Sequence, residues 1–139
     1  GDGIMATFGA ATPSDTFAAD AVRAVEESIA AAKDWQAQNE REGRPAPRVN
    51  GAIATGRIVF GAIGDETRLE YTVIGDAVNL SAKLEQFNKQ LGTSALCDAA
   101  TYELALAQGY DSGAAGRRGA ERKLIPGVSQ PVDVVVLAD

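Results

Sequence analysis

The sequence contains no histidine and a single cysteine, Cys97, among 139 residues. The first absence removes the commonest general base and most imidazole-based metal chemistry. The second rules out a disulfide framework within the chain and a thiolate zinc site. Positive charge is also scarce: the formal net charge is −6 and the pI is near 4.6. A nucleic-acid binder needs a basic face to displace counterions. The densest basic group here, Arg117, Arg118, Arg122 and Lys123, is interrupted by Gly119 and Glu121. No partnership with nucleic acid is expected. No apolar run approaches membrane-spanning length and no signal peptide stands at the front. The expectation is a segment without membrane contact, in a cytoplasmic protein or the cytoplasmic part of a larger one. An acidic chain can still handle a polyphosphate if metal ions cancel the charge, and it then needs carboxylates to hold them.

What is present suits one globular domain: 45% hydrophobic and 23% charged residues, enough chain to enclose a core. Gly3 to Phe8 is a short apolar run that predicts a buried strand. Pro13, Ser14 and Asp15 open a helix over about Asp15 to Glu40, with Val22, Val25, Ile29 and Ala32 at helical spacing. Its acidic residues, Glu26 and Glu27 among them, read as a solvated face. Gly43, Pro45 and Pro47 end it. Val49 to Thr55 and Arg57 to Ile63 read as a hairpin around Gly56. Asp65 to Arg68 is a polar turn and Leu69 to Ile74 a third strand.

Asp76 then reads as the N-cap of a second helix, with Leu80, Leu84, Phe87 and Leu91 as its buried stripe and Gly92 as its stop. Ala95 to Cys97 is a short strand, and Asp98 caps a third helix running to Gly109. Ser112 to Gly119 is loop-like. Lys123 to Ile125 and Val132 to Leu137 close the chain as strands. The pattern predicts an α+β fold: a mixed or antiparallel, ferredoxin-like sheet with helices packed on it.

The densest chemical signal is Gly61 to Glu85, GAIGDETRLEYTVIGDAVNLSAKLE. Asn79 and Lys83 stand at i, i+4, one turn apart on one face and beside the apolar stripe. By themselves they are an ordinary exposed polar pair, Asp2 an ordinary turn residue, and Thr72 a strand threonine. The glycines at 56, 61 and 64 read as turn and packing positions.

This stretch resembles the signature of class III nucleotidyl cyclases. There a glycine-bearing hairpin, a turn and a strand ending in Gly-Asp or Gly-Asn lead into Val-Asn-x-x-x-Arg. The resemblance extends to the opening Gly1-Asp2-Gly3, to Ala52 through Gly56, and to Gly127 through Val132. It implies that residues 1–139 are one cyclase catalytic domain lacking its first strand and following helices. The missing initiator Met fits a piece of a longer protein.

The implied reaction turns ATP, less readily GTP, into a cyclic 3′,5′ mononucleotide and pyrophosphate, with two Mg²⁺ or Mn²⁺ ions. The resemblance makes Asp2 one of two metal-binding aspartates, the other lying upstream of this sequence. Asn79 falls on the ribose-orienting asparagine. Lys83 falls on the arginine that meets the α-phosphate, and Thr72 on a purine-reading position where threonine suits adenine. The family's C-terminal phosphate lysine falls at Pro126, which cannot serve. Lys123 is the nearest cation and the substitute candidate, with a solvated surface lysine as its other reading. Lysine at 83 keeps the charge but loses arginine's planar fork. It implies lowered activity and keeps a second function open: a weak or inactive cyclase-like domain used for dimerisation or nucleotide-dependent regulation. The resemblance further implies a homodimer with shared active sites and an upstream regulatory domain. An unrelated ferredoxin-like binding domain is the third reading. No Gly-Gly-Asp/Glu-Glu-Phe turn is present, which disfavours a diguanylate cyclase.

Overall fold

The computed structural model describes residues 2–64, 69–113 and 116–139. Three helices are α1 (Phe17–Arg41), α2 (Asp76–Leu91) and α3 (Ala99–Ala107). Six strands are β1 (Gly51–Ile53), β2 (Val59–Gly64), β3 (Leu69–Ile74), β4 (Ala95–Asp98), β5 (Ala120–Lys123) and β6 (Val132–Ala138). A four-stranded sheet runs in the order β1-β4-β6-β5, and β2 and β3 form a separate antiparallel pair. In the larger sheet β1 runs parallel to β4, whereas β4–β6 and β5–β6 are antiparallel. The α+β class with a mixed sheet is therefore as expected.

The central strand explains the layering. Ala95, Leu96 and Cys97 are all fully buried, because successive side chains point to opposite faces and both faces are covered. Ala95 and Cys97 join Val22 and Ile29 of α1, Tyr102 of α3 and Leu137. Leu96 joins Leu84 and Phe87 of α2, Ile125 and Val134. The sheet thus lies between α1 with α3 on one side and α2 on the other. Burial pushes the Cys97 thiol far up from its ordinary pKa, with Asp98 adding to the effect, so it is an inert core group.

Polar groups fix the joints. Buried Asn88 of α2 donates from Nδ2 to the Gly51 carbonyl at 2.9 Å and accepts from the Thr93 hydroxyl at 2.9 Å. This ties the end of α2 to the start of β1. Asp98 caps α3 as expected, accepting from the Thr101 backbone N–H. On the far side of the sheet, Glu26 is no solvated acid. Its carboxylate takes a guanidinium N–H from Arg118 at 2.6 Å and the Tyr110 hydroxyl at 2.8 Å. Arg118 also donates to the Tyr110 oxygen at 2.7 Å. Desolvation first, and the Glu26 hydrogen bond second, push the Tyr110 phenol up to about 12.

Four further expectations need correction. Gly3 to Phe8 is not a strand: Ile4 is fully exposed and Met5 largely so. A strand needs a hydrogen-bonded neighbour, and among the described residues none lies beside it. The hairpin around Gly56 is also absent. β1 pairs with β4 and β2 with β3, because Ile53 and Ala52 pack on the two faces of the main sheet while Val59 and Phe60 stay exposed. Gly75, not Asp76, holds the N-cap position of α2; Asp76 is its first helical residue, where its charge complements the helix dipole. Finally, β5 lies earlier than Lys123 to Ile125, with Leu124 exposed and Ile125 buried beyond its end. The expected turn at Asp65 to Arg68 lies outside the described residues.

Candidate active site

One side of α2 makes the wall of an open cleft. The helix buries Ala77, Leu84 and Phe87, and the neighbouring stripe of Asp76, Asn79 and Lys83 borders the cleft beside Leu80. Asn79 is exposed and Lys83 half-buried. Thr55, Gly56 and Arg57, where the chain leaves β1, form a second wall. Gly127, Val128, Ser129 and Val132, leading into β6, form the third. The enclosed space is about 730 Å³, within the usual range for a small-molecule or nucleotide site.

Each wall has a visible anchor. Thr101 of α3 is fully buried and gives its hydroxyl proton to Asp98 at 2.5 Å. Its oxygen is then an acceptor, for the Thr55 N–H at 2.8 Å and the Thr55 hydroxyl at 3.0 Å. Gly75 permits a close approach: a Cβ there would stand 2.6 Å from the Arg57 carbonyl oxygen. The Arg57 backbone is thereby seated against the turn that begins α2. Opposite, Gly127 has φ +80° and lies under the Lys83 ammonium, where an added Cβ would come within 2.8 Å of Nζ. The left-handed backbone favours glycine there, and a larger residue would oblige the mobile end of Lys83 to shift.

The cleft's charged groups are Asp76, Arg57 and Lys83. Among the described residues neither cation makes an ion pair. The site can therefore offer a primary amide and two cations to an anionic ligand.

The structure brings together Asn79 and Lys83, and leaves the other three candidates apart from the cleft lining. Thr72 is half-buried in β3, opposite Gly61 of β2, on the hairpin that feeds into α2. Asp2 is exposed on an irregular segment. Lys123 pairs with Glu121 at 2.7 Å and borders a smaller hollow of about 200 Å³ with Leu91 and Thr93; the pairing lowers the Glu121 pKa. A carboxylate such as Asp2 has the donor chemistry a hard cation wants. Among the described residues no three such side chains stand together. Sequence reasoning missed Thr55, Arg57 and Ser129 as cleft residues. Thr55 and Ser129 lay inside stretches that carried the resemblance, and Arg57 directly followed one, but what brings them to one cleft is the long-range return of the chain.

No family model matches the chain. Among curated proteins it is similar to Adenylate cyclase 1 of Rhizobium meliloti, 37% identical over 103 residues that cover 72% of this chain and 15% of that protein. It is also similar to the terminal-differentiation specific adenylate cyclase of Dictyostelium discoideum, 33% identical over 74% of this chain and 5% of that protein. The chain thus spans a small fraction of these relatives. Among solved structures it resembles the guanylyl cyclase Cya2, with TM-score 0.69 and 28% identity over 93% of this chain and 61% of that one. The adenylyl cyclase CyaB from P. aeruginosa gives TM-score 0.64 and 28% identity over 95% and 65%. No helix among the described residues is long and apolar enough to cross a membrane. With the motif from Gly61 to Glu85 carried by a matching fold, the chain belongs to the class III nucleotidyl cyclase catalytic domains.

Proposed function

We propose that this domain converts ATP, less readily GTP, into cyclic 3′,5′-AMP and pyrophosphate for intracellular signalling. The observation that carries the reading is Asn79 and Lys83 lining one cleft from a single helical face, with Gly127 beneath the ammonium. In the reaction the ribose 3′-oxygen forms a bond to the α-phosphorus. The bond from that phosphorus to the α,β-bridging oxygen breaks, pyrophosphate leaves with the electron pair, and the hydroxyl proton passes to solvent water.

In this scheme the Asn79 amide orients the ribose by hydrogen bonding. Holding the reacting oxygen close to phosphorus turns a rare encounter into the ground-state geometry. Lys83 offers its ammonium to the α-phosphate, where negative charge grows in the transition state. Gly127, with no side chain, leaves room for that ammonium beside it. Thr72 reads the adenine edge, its hydroxyl able to accept from the amino group or donate to a ring nitrogen. Asp2 would supply one carboxylate to Mg²⁺ or Mn²⁺, which when bound would neutralise phosphate charge. Asp2 and the Thr72/Asn79/Lys83 group serve different sites of a homodimer, so a symmetric pair carries two. An upstream regulatory domain of the same protein supplies the input.

The test is turnover by the full-length protein with Mn²⁺ and ATP or GTP, followed by detection of cyclic product and pyrophosphate. Product from ATP in excess of that from GTP is expected. No product from either nucleotide, and none after Lys83→Arg, would sink the catalytic reading. The second reading, a degenerate domain that dimerises or binds a nucleotide for regulation, is favoured by the lysine at 83 and would then replace it.

A further inference from the structure

We propose that Arg57 is a second phosphate-binding cation of the cleft, presenting to a nucleoside polyphosphate the forked geometry that Lys83 lacks. The assignment rests on the nucleotide reading of the same cleft and adds a residue to it.

Arg57 borders the same space as Asn79 and Lys83 but arrives from a different element, the exit of β1. Its position is fixed from two directions. The Gly75 contact seats its carbonyl against the start of α2, and Thr55, two residues earlier, is held by buried Thr101 through two hydrogen bonds. An arginine on so constrained a corner has its Cα held at the edge of the cleft.

Its charge is also uncommitted. Arg23, Arg44, Arg117, Arg118 and Arg122 each pair with a carboxylate. Arg57 pairs with none among the described residues, in a chain of net charge −6 and with Asp76 on the same cleft. Two cations facing one concavity repel each other unless an anion joins them. A guanidinium gives two parallel N–H donors to two phosphate oxygens, whereas an ammonium gives a point charge. A polyphosphate is long enough to use both.

The experiment is calorimetric titration of the native protein, with Mg²⁺ present, by ATP and separately by adenosine, which lacks phosphate. Arg57→Gln is expected to weaken ATP binding roughly ten-fold or more, the loss of one charge-assisted contact, and to leave adenosine binding and the melting temperature unchanged. Arg57→Lys should fall between. Equal ATP affinity for Arg57→Gln and wild type, with Lys83→Gln weakened, overturns the role of Arg57 and leaves the cleft reading standing. Equal losses for ATP and adenosine overturn it too, as a general distortion. No ATP binding by the wild type overturns both readings. Should Arg57→Gln fail to fold, Arg57→Lys decides: unaltered ATP affinity overturns the assignment.

Discussion

Two charged clusters lie on opposite sides of the central sheet, and they are built on contrary plans. Behind the sheet, Glu26, Tyr110 and Arg118 satisfy one another within 2.6 to 2.8 Å. Arg118 further donates its backbone N–H to the Tyr102 hydroxyl at 3.1 Å. In front, Arg57, Lys83 and Asn79 border a cleft and spend none of their donors in the ion pairs among described residues. A cluster that closes on itself contributes to folding and has nothing left for a ligand. A cluster left open contributes little to folding and has its hydrogen-bonding capacity available. The contrast separates charge committed within the fold from charge left open to the cleft.

The sharpest way to break this contrast is at Lys83. Lys83→Ala should lower cyclic-product turnover by roughly 100-fold or more, the scale of a lost transition-state charge contact. The melting temperature should scarcely move, and Lys83→Arg should leave turnover unchanged or raised. A large loss of stability in Lys83→Ala would place Lys83 with the closed cluster.

The converse change is Glu26→Ala. It should cost about 1–3 kcal/mol of unfolding free energy by denaturant titration, less than a fully buried pair would because both partners retain some exposure. The ATP affinity of the folded protein should not change. A third measurement uses pH. The Tyr110 phenol is held at about 12 in the fold, above its ordinary value near 10, so the fold favours its neutral form. The associated stability is fully present below pH 10 and is lost as pH rises toward 12. Cys97, also raised, adds a loss that begins near pH 9. Tyr110→Phe should make the decline above pH 10 shallower, leaving the cysteine part, which starts near pH 9 and continues through that range. The smallest effect is expected at Lys123. Its partner Glu121 is exposed, and Lys123→Ala should alter neither melting temperature nor ATP affinity measurably. A clear loss of ATP affinity there would enlarge the functional cluster beyond the cleft.

Local rules found the helices. The spacing of Leu80, Leu84 and Phe87 with Gly92 beyond them gave α2 its end, and Asp98 three residues before Thr101 gave α3 its cap. The i, i+4 placement of Asn79 and Lys83 likewise showed that they share a face, because helical geometry is local. Strand partnership is not. β1 and β2 are neighbours in sequence with turn residues between them, yet β1 found β4 and β2 found β3. Which pairing wins depends on the helices that Ile53 and Ala52 are buried against. Arg57 was illegible for the same reason: its nearness to Lys83 is made by the return of the chain through α2. Glu26 looked solvated because its partner, Arg118, lies at the other end of the sequence.

The seat of Lys83 over Gly127 makes two remote stretches of chain one mutational unit. A methyl group at 127 would strain a backbone at φ +80° and displace the tip of the Lys83 side chain, whereas shortening residue 83 removes the charge altogether. The loop entering β6 therefore borders the charge although it carries none itself. Its tolerance to substitution should follow the length of the residue on the helix above it, and a shorter cation there would free the glycine to vary only as far as its left-handed backbone allows.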